Sequence, residues 1–391
     1  MIPRYAPTYT YNDLIRSLSR LPIDELEADI SARLSYLLNV KHVFLIKNAR
    51  SGLYTILKAY NRPGQVLIPA YNCITVASAA YYAGYQPRFV ETEINKLNSL
   101  PEMFDKMITE DTTAVFPTHL FGIPCNLEGV LKVFNQKNIL VVEDAAPALG
   151  AEYGGKKVGS FGDASVVSFG GRKVIYAEGG AAILTNNDEL AAKIHDIVAS
   201  DKPESNQWLM PIKAIAGKTA LTPFLYRIIR RAYELLREEQ MYEIIPAQLE
   251  IPKGYSSKMP GFASKLAHFQ LDRLEWNLSR RRKLAQIYRE QLENHTGWTL
   301  PEIPESSSPT WIQFPIICDD KQAFYNHMKA EGVDTSWTYK YSCAESFGDK
   351  SCPNAQLAAK KVVSLPTTPF ITDQQAYQIC SKALKFSNGK Q

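Results

Sequence analysis

The sequence predicts an α/β protein built on a mostly parallel central sheet flanked by helices, followed by a smaller C-terminal α+β unit. Three observations predict it. Between about residues 40 and 186, short apolar runs bounded by turn residues alternate with helical stretches. Continuous apolar runs suit strands buried on both faces, and strand–helix alternation suits parallel pairing. Asp144 ends one apolar run, a Gly-rich segment carrying Lys173 follows another, and beyond residue 250 the pattern changes to longer helices around isolated strands. The 391 residues, 45% hydrophobic and 21% charged, suffice for two domains with ordinary cores and no disulfide or metal support. The division expected is 1–240 for the large domain, with a helical insertion at about 202–250, and 251–391 for the small one.

Taken in order, the strand-like runs are 42–46, 66–69, 88–91, 114–118, 139–143, 164–169 and 181–184. Helical stretches at 51–60, 73–83 and 127–135 separate several of them. Residues 201–217 read as a loop. A helix is expected at 221–240, with Pro223 in its first turn, where a missing N–H does no harm. Its apolar positions Leu221, Leu225, Ile228, Ala232, Leu235 and Leu236 recur at helical spacing, while Arg227, Arg230, Arg231 and Arg237 fall elsewhere. A basic amphipathic helix can lie on a membrane surface, but most such helices face their own protein, and that is the expectation here. A long helix at 263–294 follows, striped by Leu266, Phe269, Leu274 and Leu278. A strand at 311–317 and helices at 321–331 and 373–384 complete the second unit.

Lys plus Arg number 44 and Asp plus Glu 40, a formal net charge of +4. That gives no electrostatic case for nucleic acid, which calls for a clustered basic face. The six cysteines, Cys73, Cys125, Cys318, Cys343, Cys352 and Cys380, form no CxxC pair and have no His at ligand spacing. They read as free thiols, and no metal site is expected. The first residues lack a basic start followed by an apolar run, and no stretch approaches the length of an apolar membrane span. A cytoplasmic location without a signal peptide is therefore expected. The 21 tyrosines hint at polar aromatic pockets.

Three local features carry chemistry. Residues 48–53, Asn-Ala-Arg-Ser-Gly-Leu, follow a strand and open a helix. Small residues at a helix start admit an anion to the backbone N–H groups, and Arg50 adds a bidentate donor; read alone, the segment is equally an ordinary connection. Asp144 ends the apolar strand Val141-Val142-Glu143, where the carboxyl edge of an open sheet lines a ligand crevice. A buried carboxylate needs a cation or good donors, and a protonated heterocyclic nitrogen is one such partner; a helix cap is the equal alternative. Lys173 lies in Ser-Phe-Gly-Gly-Arg-Lys, 168–173, just after a strand. A lysine held at that edge loses its proton more easily and attacks carbonyls, whereas out of context it reads as a surface lysine.

In order, these features join SGL (51–53), IPAYNC (68–73), AGYQPRFVE (83–91), THLFGIP (118–124), VVEDAAPALGA (141–151), GSFGD (159–163) and SFGGRK (168–173). GYSSKM (254–259), QLDRL (270–274), RRRKLAQIY (280–288) and SLPTTPFIT (364–372) continue the series. With these motifs the chain resembles the DegT/DnrJ/EryC1/StrS family of sugar aminotransferases, pyridoxal-phosphate enzymes of fold type I, over nearly its whole length apart from about 202–250. The resemblance implies a pyridoxal 5'-phosphate cofactor, with Lys173 as the Schiff-base lysine and proton shuttle and Asp144 as the acid beside the pyridine nitrogen. It implies that Arg50, Ser51, Gly52 and Ser168 bind the phosphate. Tyr71 and Cys73 would lie against the cofactor. His119 lies near the site, with its role open between ligand contact and structure.

The sequence departs from the family at three places. Cys73 stands where an aromatic residue commonly stacks on the ring, so Tyr71 or another aromatic takes over or the ring rests on a smaller side chain. Pro147 stands where a glutamine is common. Ser256 or Lys258 stands in for the asparagine that reaches the partner subunit's phosphate. The activity implied is transfer of an amino group, with glutamate as donor, to a nucleotide-linked keto sugar in surface polysaccharide or related glycan biosynthesis. The assembly implied is a homodimer with active sites at the interface. A dehydratase of the same fold is the runner-up, disfavoured because family dehydratases replace the lysine by histidine. A non-catalytic cofactor-binding paralogue with a regulatory or scaffold role is the third reading. The 202–250 segment is expected to cover the site mouth or border a partner, with membrane contact through the 221–240 helix as the bolder version.

Overall fold

In a computed structural model of the chain, residues 1–200, 209–237, 244 and 246–386 are described. Helices α1 (Tyr11–Ser17) and α2 (Ile23–Leu38) precede β1 (His42–Ile46), α3 (Ala49–Tyr60), β2 (Gln65–Pro69), α4 (Ile74–Tyr82), β3 (Gln86–Val90), α5 (Pro101–Asp105), β4 (Thr112–Val115), α6 (Leu127–Phe134) and β5 (Leu140–Asp144). A small hairpin, β6 (Glu152–Tyr153) and β7 (Lys156–Lys157), leads to β8 (Ala164–Ser168), β9 (Ala181–Thr185) and α7 (Asp188–Ser200). Helices α8 (Leu209–Ala220), α9 (Pro223–Arg237), α10 (Gly261–Leu271) and α11 (Leu274–Leu292) follow. The remainder is β10 (Trp298–Thr299), β11 (Ser307–Ser308), β12 (Phe314–Cys318), α12 (Lys321–Ala330), α13 (Cys343–Ser346), α14 (Pro353–Lys361), β13 (Val362–Leu365) and α15 (Asp373–Leu384).

The seven-stranded sheet runs β1-β9-β8-β5-β4-β2-β3. All neighbours are parallel except at β9, which is antiparallel to both β8 and β1. The segment from 169 to 180 contains no crossover helix, so the chain returns beside β8 as a wide hairpin, and antiparallel pairing follows. Strands β4, β5, β8 and β9 are buried along their whole length. Alternate side chains feed different cores: Val142, Val166 and Ile183 face α3 and α4, Val167 and Leu184 face α2 and α10, and Leu67, Val115 and Val141 face α5 and α6. The chain moves outward from β2 to β3, then starts again on the other side of β2 at β4. That reversal is the switch point where open sheets form a crevice at the carboxyl ends of their strands.

Gly52 shows how closely α3 lies on the sheet. A Cβ there would sit 2.5 Å from Ile46 Cδ1, 3.0 Å from Val166 Cγ1 and 3.2 Å from Ile183 Cγ1. The C-terminal part carries the antiparallel sheet β10-β12-β13. Its hydrophobic interior is continuous with that beneath α3 and α4. Ile2 pairs in parallel with Val333, tying the start of the chain to this part, while α10 packs on α2.

Four sequence expectations change. The loop expected at 201–217 gives way to α8 from Leu209 onward; residues 201–208 lie outside the described set. Pro211 falls in the first turn, where it breaks no hydrogen bond, and Ala214 packs under Tyr9, whose hydroxyl donates to the Ala214 carbonyl at 3.0 Å. The single helix at 263–294 is two, α10 and α11, broken at Asp272-Arg273. The strand expected at 311–317 is β12, Phe314–Cys318: Trp311 adopts φ +52°, a left-handed conformation that cannot continue a strand. Within the apolar stripe expected of α9, Leu225, Ile228 and Ala232 are exposed and Leu221 is half-buried, while Tyr226 is buried and Arg230 half-buried; the Leu235 and Leu236 side chains lie outside what is described. Residues 238–240 of the expected helix, and the Arg237 side chain, lie outside what is described. All six cysteines are free thiols. Among the described residues, no helix is long and apolar enough to cross a membrane, and no cluster of His, Cys, Asp or Glu forms a metal site.

Candidate active site

Because β1, β2, β4, β5 and β8 share one direction, their carboxyl ends deliver side chains to one edge. Asp144 is the last residue of β5 and is 4% exposed. Its Oδ1 accepts the Ala146 N–H at 3.2 Å, and its backbone is braced by Pro117 and His119 at 2.9 and 3.3 Å. Burial pushes the carboxyl above its usual range, against the pull of Lys173, the Ala146 N–H, His119 and Thr118. Lys173 shows the mirror effect. Burial lowers its proton affinity, Asp144 and Cys73 oppose the shift, and Arg172 adds to it. The lysine and the carboxylate therefore lie within reach of each other's charge, each pushed by burial toward its neutral form. Arg172, immediately before, has φ +66°, a strained conformation of the kind found at functional sites.

Beneath this pair lies a buried brace. His119 is completely buried; Nδ1 accepts the Cys125 N–H at 3.1 Å and Nε2 lies 3.3 Å from Glu143 Oε2. Burial works against a charged ring, while Cys125 and Glu143 raise its proton affinity. With Nδ1 occupied as an acceptor, Nε2 is the ring atom left to carry a proton toward Glu143. Glu143 also accepts the N–H groups of Gly159 at 2.8 Å, Phe161 at 2.6 Å and Gly162 at 2.8 Å. Gly159, at φ +96°, makes the turn that aims its N–H inward. The HLFG, VVED and GSFGD segments are thus one unit, held through His119 and Glu143 under Asp144. Glu143→Ala leaves three N–H groups and a histidine without their acceptor and should destabilise the fold by about 2–4 kcal/mol. Equilibrium urea unfolding measures it.

At the other end, Asn48 caps α3 and pairs with Ser51 in a capping box. The Ser51 hydroxyl donates back to the Asn48 carbonyl at 2.8 Å, and Gly52 is pressed on the sheet. The groups at this terminus that face a cleft of about 390 Å³ are Arg50, Asn48 and Lys47, opposite Thr75, Tyr82 and Tyr255. Cys73 caps α4, with Sγ 3.1 Å from Thr75 Oγ1. Tyr71 is fully buried, edge-on to Tyr339 at 5.2 Å, and its hydroxyl has no hydrogen-bond partner. Ser168 is buried, its hydroxyl accepting the Gly170 N–H at 3.2 Å. The Pro147 carbonyl accepts the Thr310 hydroxyl at 3.1 Å. Ser256 is half-buried and Lys258 exposed on a segment that runs beside β1, where the Lys47 N–H donates to the Ser257 carbonyl at 3.0 Å.

Lys173 therefore lies within electrostatic reach of Asp144 and Cys73, and Tyr255 within reach of Arg50 and Cys73. Sequence reasoning missed Tyr339, Tyr341 and Tyr255. Burial, then Cys73 and Asp144, push the Tyr339 hydroxyl well above its ordinary range. The signal was present as the tyrosine surplus and the run Thr338-Tyr339-Lys340-Tyr341.

Comparison with known proteins agrees with this architecture. The profile of the DegT/DnrJ/EryC1/StrS aminotransferase family matches residues 23–384. A dTDP-3-amino-3,6-dideoxy-alpha-D-galactopyranose transaminase of Aneurinibacillus thermoaerophilus is 25% identical over 90% of this chain and 87% of its own. A pleiotropic regulatory protein of Geobacillus stearothermophilus is 26% identical over 93% of this chain and 89% of its own. The structure of an E. coli GDP-4-keto-6-deoxy-D-mannose-3-dehydratase with bound hydrated PLP superposes with TM-score 0.76 at 15% identity, over 98% of this chain and 99% of that one. The mostly parallel sheet flanked by helices is the fold type I arrangement, and the chain belongs to the DegT/DnrJ/EryC1/StrS aminotransferase family.

Proposed function

We propose that the protein is a pyridoxal-phosphate-dependent aminotransferase that converts the keto group of a nucleotide-linked sugar to an amine, with glutamate as the amino donor. The observation that carries this reading is the half-buried Lys173 and buried Asp144 at the carboxyl edge, each pushed toward neutrality by desolvation. The residues fit the cofactor. Lys173 offers an amine of lowered proton affinity for a carbonyl. The exposed Arg50 and the first N–H groups of α3 form an anion-receptive end. Asp144 offers a desolvated carboxylate for a protonated ring nitrogen.

When bound, the cofactor supplies an electron sink for the pair left by a broken C–H bond. Lys173 would hold it through Nζ and would take and return the proton at the substrate carbon, a role suited to a tethered amine whose charge is suppressed by burial. Asp144 would supply the negative charge that keeps a ring nitrogen protonated. Thr118 and the Ala146 N–H orient that carboxylate. Cys73 replaces the family's stacking aromatic, and Tyr339 and Tyr255 flank it as the aromatic surfaces on hand. The homodimer and a part in surface glycan biosynthesis belong to the same reading.

Two other readings are weaker. A regulatory relative is among the similar proteins, but a purely regulatory cofactor binder has no need of both Lys173 and Asp144. A dehydratase relative shares the fold, yet family dehydratases carry histidine in place of the lysine. Protein loaded with pyridoxal 5'-phosphate should show a visible absorption band that fades on addition of glutamate and returns on addition of nucleotide-linked keto sugars. A band indifferent to every amino donor tried would refute the proposal.

A further inference from the structure

Helix α9 takes no part in the chemistry above, and its outer face is apolar. Residues four apart stand above one another on a helix, so α9 sorts into rows. Tyr226 and Arg230 form the inner row. Tyr226 is buried and donates to Asp334, and half-buried Arg230 donates to the Tyr325 hydroxyl, with its Nε 3.8 Å from Asp334. Those contacts moor the helix. Phe224, Ile228 and Ala232 run along the opposite side, flanked by Leu225 and Ile229 on one hand and by Arg227 and Arg231 on the other. All of these are exposed, Phe224 to 76%, Ile228 to 53% and Ile229 to 47%. Helix α8 packs beside α9 and adds Ile212, Lys213 and Ile215 to the exposed surface. Tyr11 of α1, 48% exposed, continues it, its hydroxyl 3.3 Å from that of Thr219.

A fixed apolar face of this kind marks a contact surface. The charge pattern says with what. From 209 to 232 the sequence holds five basic residues, Lys213, Lys218, Arg227, Arg230 and Arg231, and no Asp or Glu, although the whole chain carries only +4. The positive charge is therefore local to this segment. A second copy docked through a two-fold axis would set Lys213, Arg227 and Arg231 against themselves, with no carboxylate in the segment to pair them. A surface of anionic lipid meets both needs. Phenylalanine and isoleucine enter the boundary between headgroups and acyl chains, and arginines beside them reach the phosphates. The length agrees: at 15 residues α9 is too short to span a bilayer and suits a place in its plane. We infer that α8 and α9 dock the protein on an anionic phospholipid surface, with the Phe224–Ile228–Ala232 row inserted and Arg227 and Arg231 on the headgroup phosphates. This contact lies beyond the aminotransferase reading and does not depend on it. It also assigns a task to the 202–250 segment: its inner row holds the protein, and its outer rows hold the membrane.

The test is co-sedimentation of the full-length, cofactor-loaded protein with vesicles of phosphatidylcholine mixed with phosphatidylglycerol, and with vesicles of phosphatidylcholine alone. The protein should bind the mixed vesicles, less as salt rises, and bind phosphatidylcholine far more weakly. Phe224→Ser with Ile228→Ser should weaken binding to the mixed vesicles tenfold or more, and so should Arg227→Ala with Arg231→Ala. Arg227→Lys with Arg231→Lys should keep most of it, because the charge remains. Tyr36→Ser, at a side chain 91% exposed on α2, should change nothing. All these side chains are exposed, so the variants should fold, and melting temperatures check it. No binding to the mixed vesicles overturns the inference, as does equal binding by wild type and both double variants. A dimer that dissociates on Phe224→Ser with Ile228→Ser, without vesicle binding by the wild type, overturns it in favour of a second copy. The glutamate-driven fading of the cofactor band is read separately, so failure of the aminotransferase reading is distinguishable from failure of this one.

Discussion

Lys173→Ala is expected to lower turnover by about 10⁴-fold or more, roughly 5.5 kcal/mol of barrier at about 1.4 kcal/mol per tenfold. The reason lies in what no neighbour can replace. Lys173 combines position at the carboxyl edge, burial that suppresses its charge, and a carboxylate partner in Asp144. The other lysines facing the cleft at α3, Lys47 and Lys253, are exposed or half-exposed at its mouth. Two readouts separate loss of chemistry from loss of fold. The variant should still bind the cofactor through the α3 end, weakly and without the absorption of a lysine adduct, and its melting temperature should stay near that of the wild type. Arg172→Ala is the contrasting change: it removes a like charge that disfavours the Lys173 ammonium, so Lys173 should titrate at higher pH in that variant. An amine-selective labelling profile of residue 173 in the cofactor-free protein reads the direction.

Asp144→Asn should lower turnover by about 10²–10³-fold, the scale of removing one preorganised charge-stabilising group. The amide fills the same space but holds no proton on a ring nitrogen, so the electron sink is weakened and cofactor binding is largely kept. The sign of the accompanying titration follows from the pair. The Asp144 carboxylate raises the proton affinity of Lys173 against the larger lowering by burial. Neutralising it removes the larger of the two opposing influences, and Lys173 should lose its proton at lower pH than in the wild type. Labelling of residue 173 should therefore persist to lower pH in the variant, even as turnover falls. A rate close to wild type would remove Asp144 from the site.

The parts of the fold that were legible in the sequence are those in which local pattern and tertiary role coincide. Buried parallel strands read as apolar runs because both their faces are covered, and Val141–Val142 or Val166–Val167 leave no other interpretation. Asp144 and Lys173 stood out through the order of the motifs around them, since alone the first reads equally as a helix cap and the second as a surface lysine. Strand direction left no such mark: nothing in 181–184 announces that β9 runs against its neighbours. Helix α8 was hidden by Pro211 and Gly217, which imitate a loop although one falls in the first turn and the other near the end. The brace of His119 on Glu143 spans two segments, and either residue alone reads as ordinary. The tyrosine surplus was visible as a number, but Tyr255 and Tyr339 join Cys73 only when distant stretches of chain meet. The outward face of α9 was misjudged because amphipathic spacing shows that a helix has two faces, not which one the protein keeps.

The central claim is that Lys173 carries the cofactor, and its most direct test is chemical. The protein loaded with pyridoxal 5'-phosphate is reduced with borohydride, digested, and the peptides are weighed and sequenced by mass spectrometry. The account predicts one stable cofactor adduct, on the peptide containing Lys173 and on that residue, absent when glutamate is added before reduction. An adduct on any other lysine, or none after full loading, would contradict it.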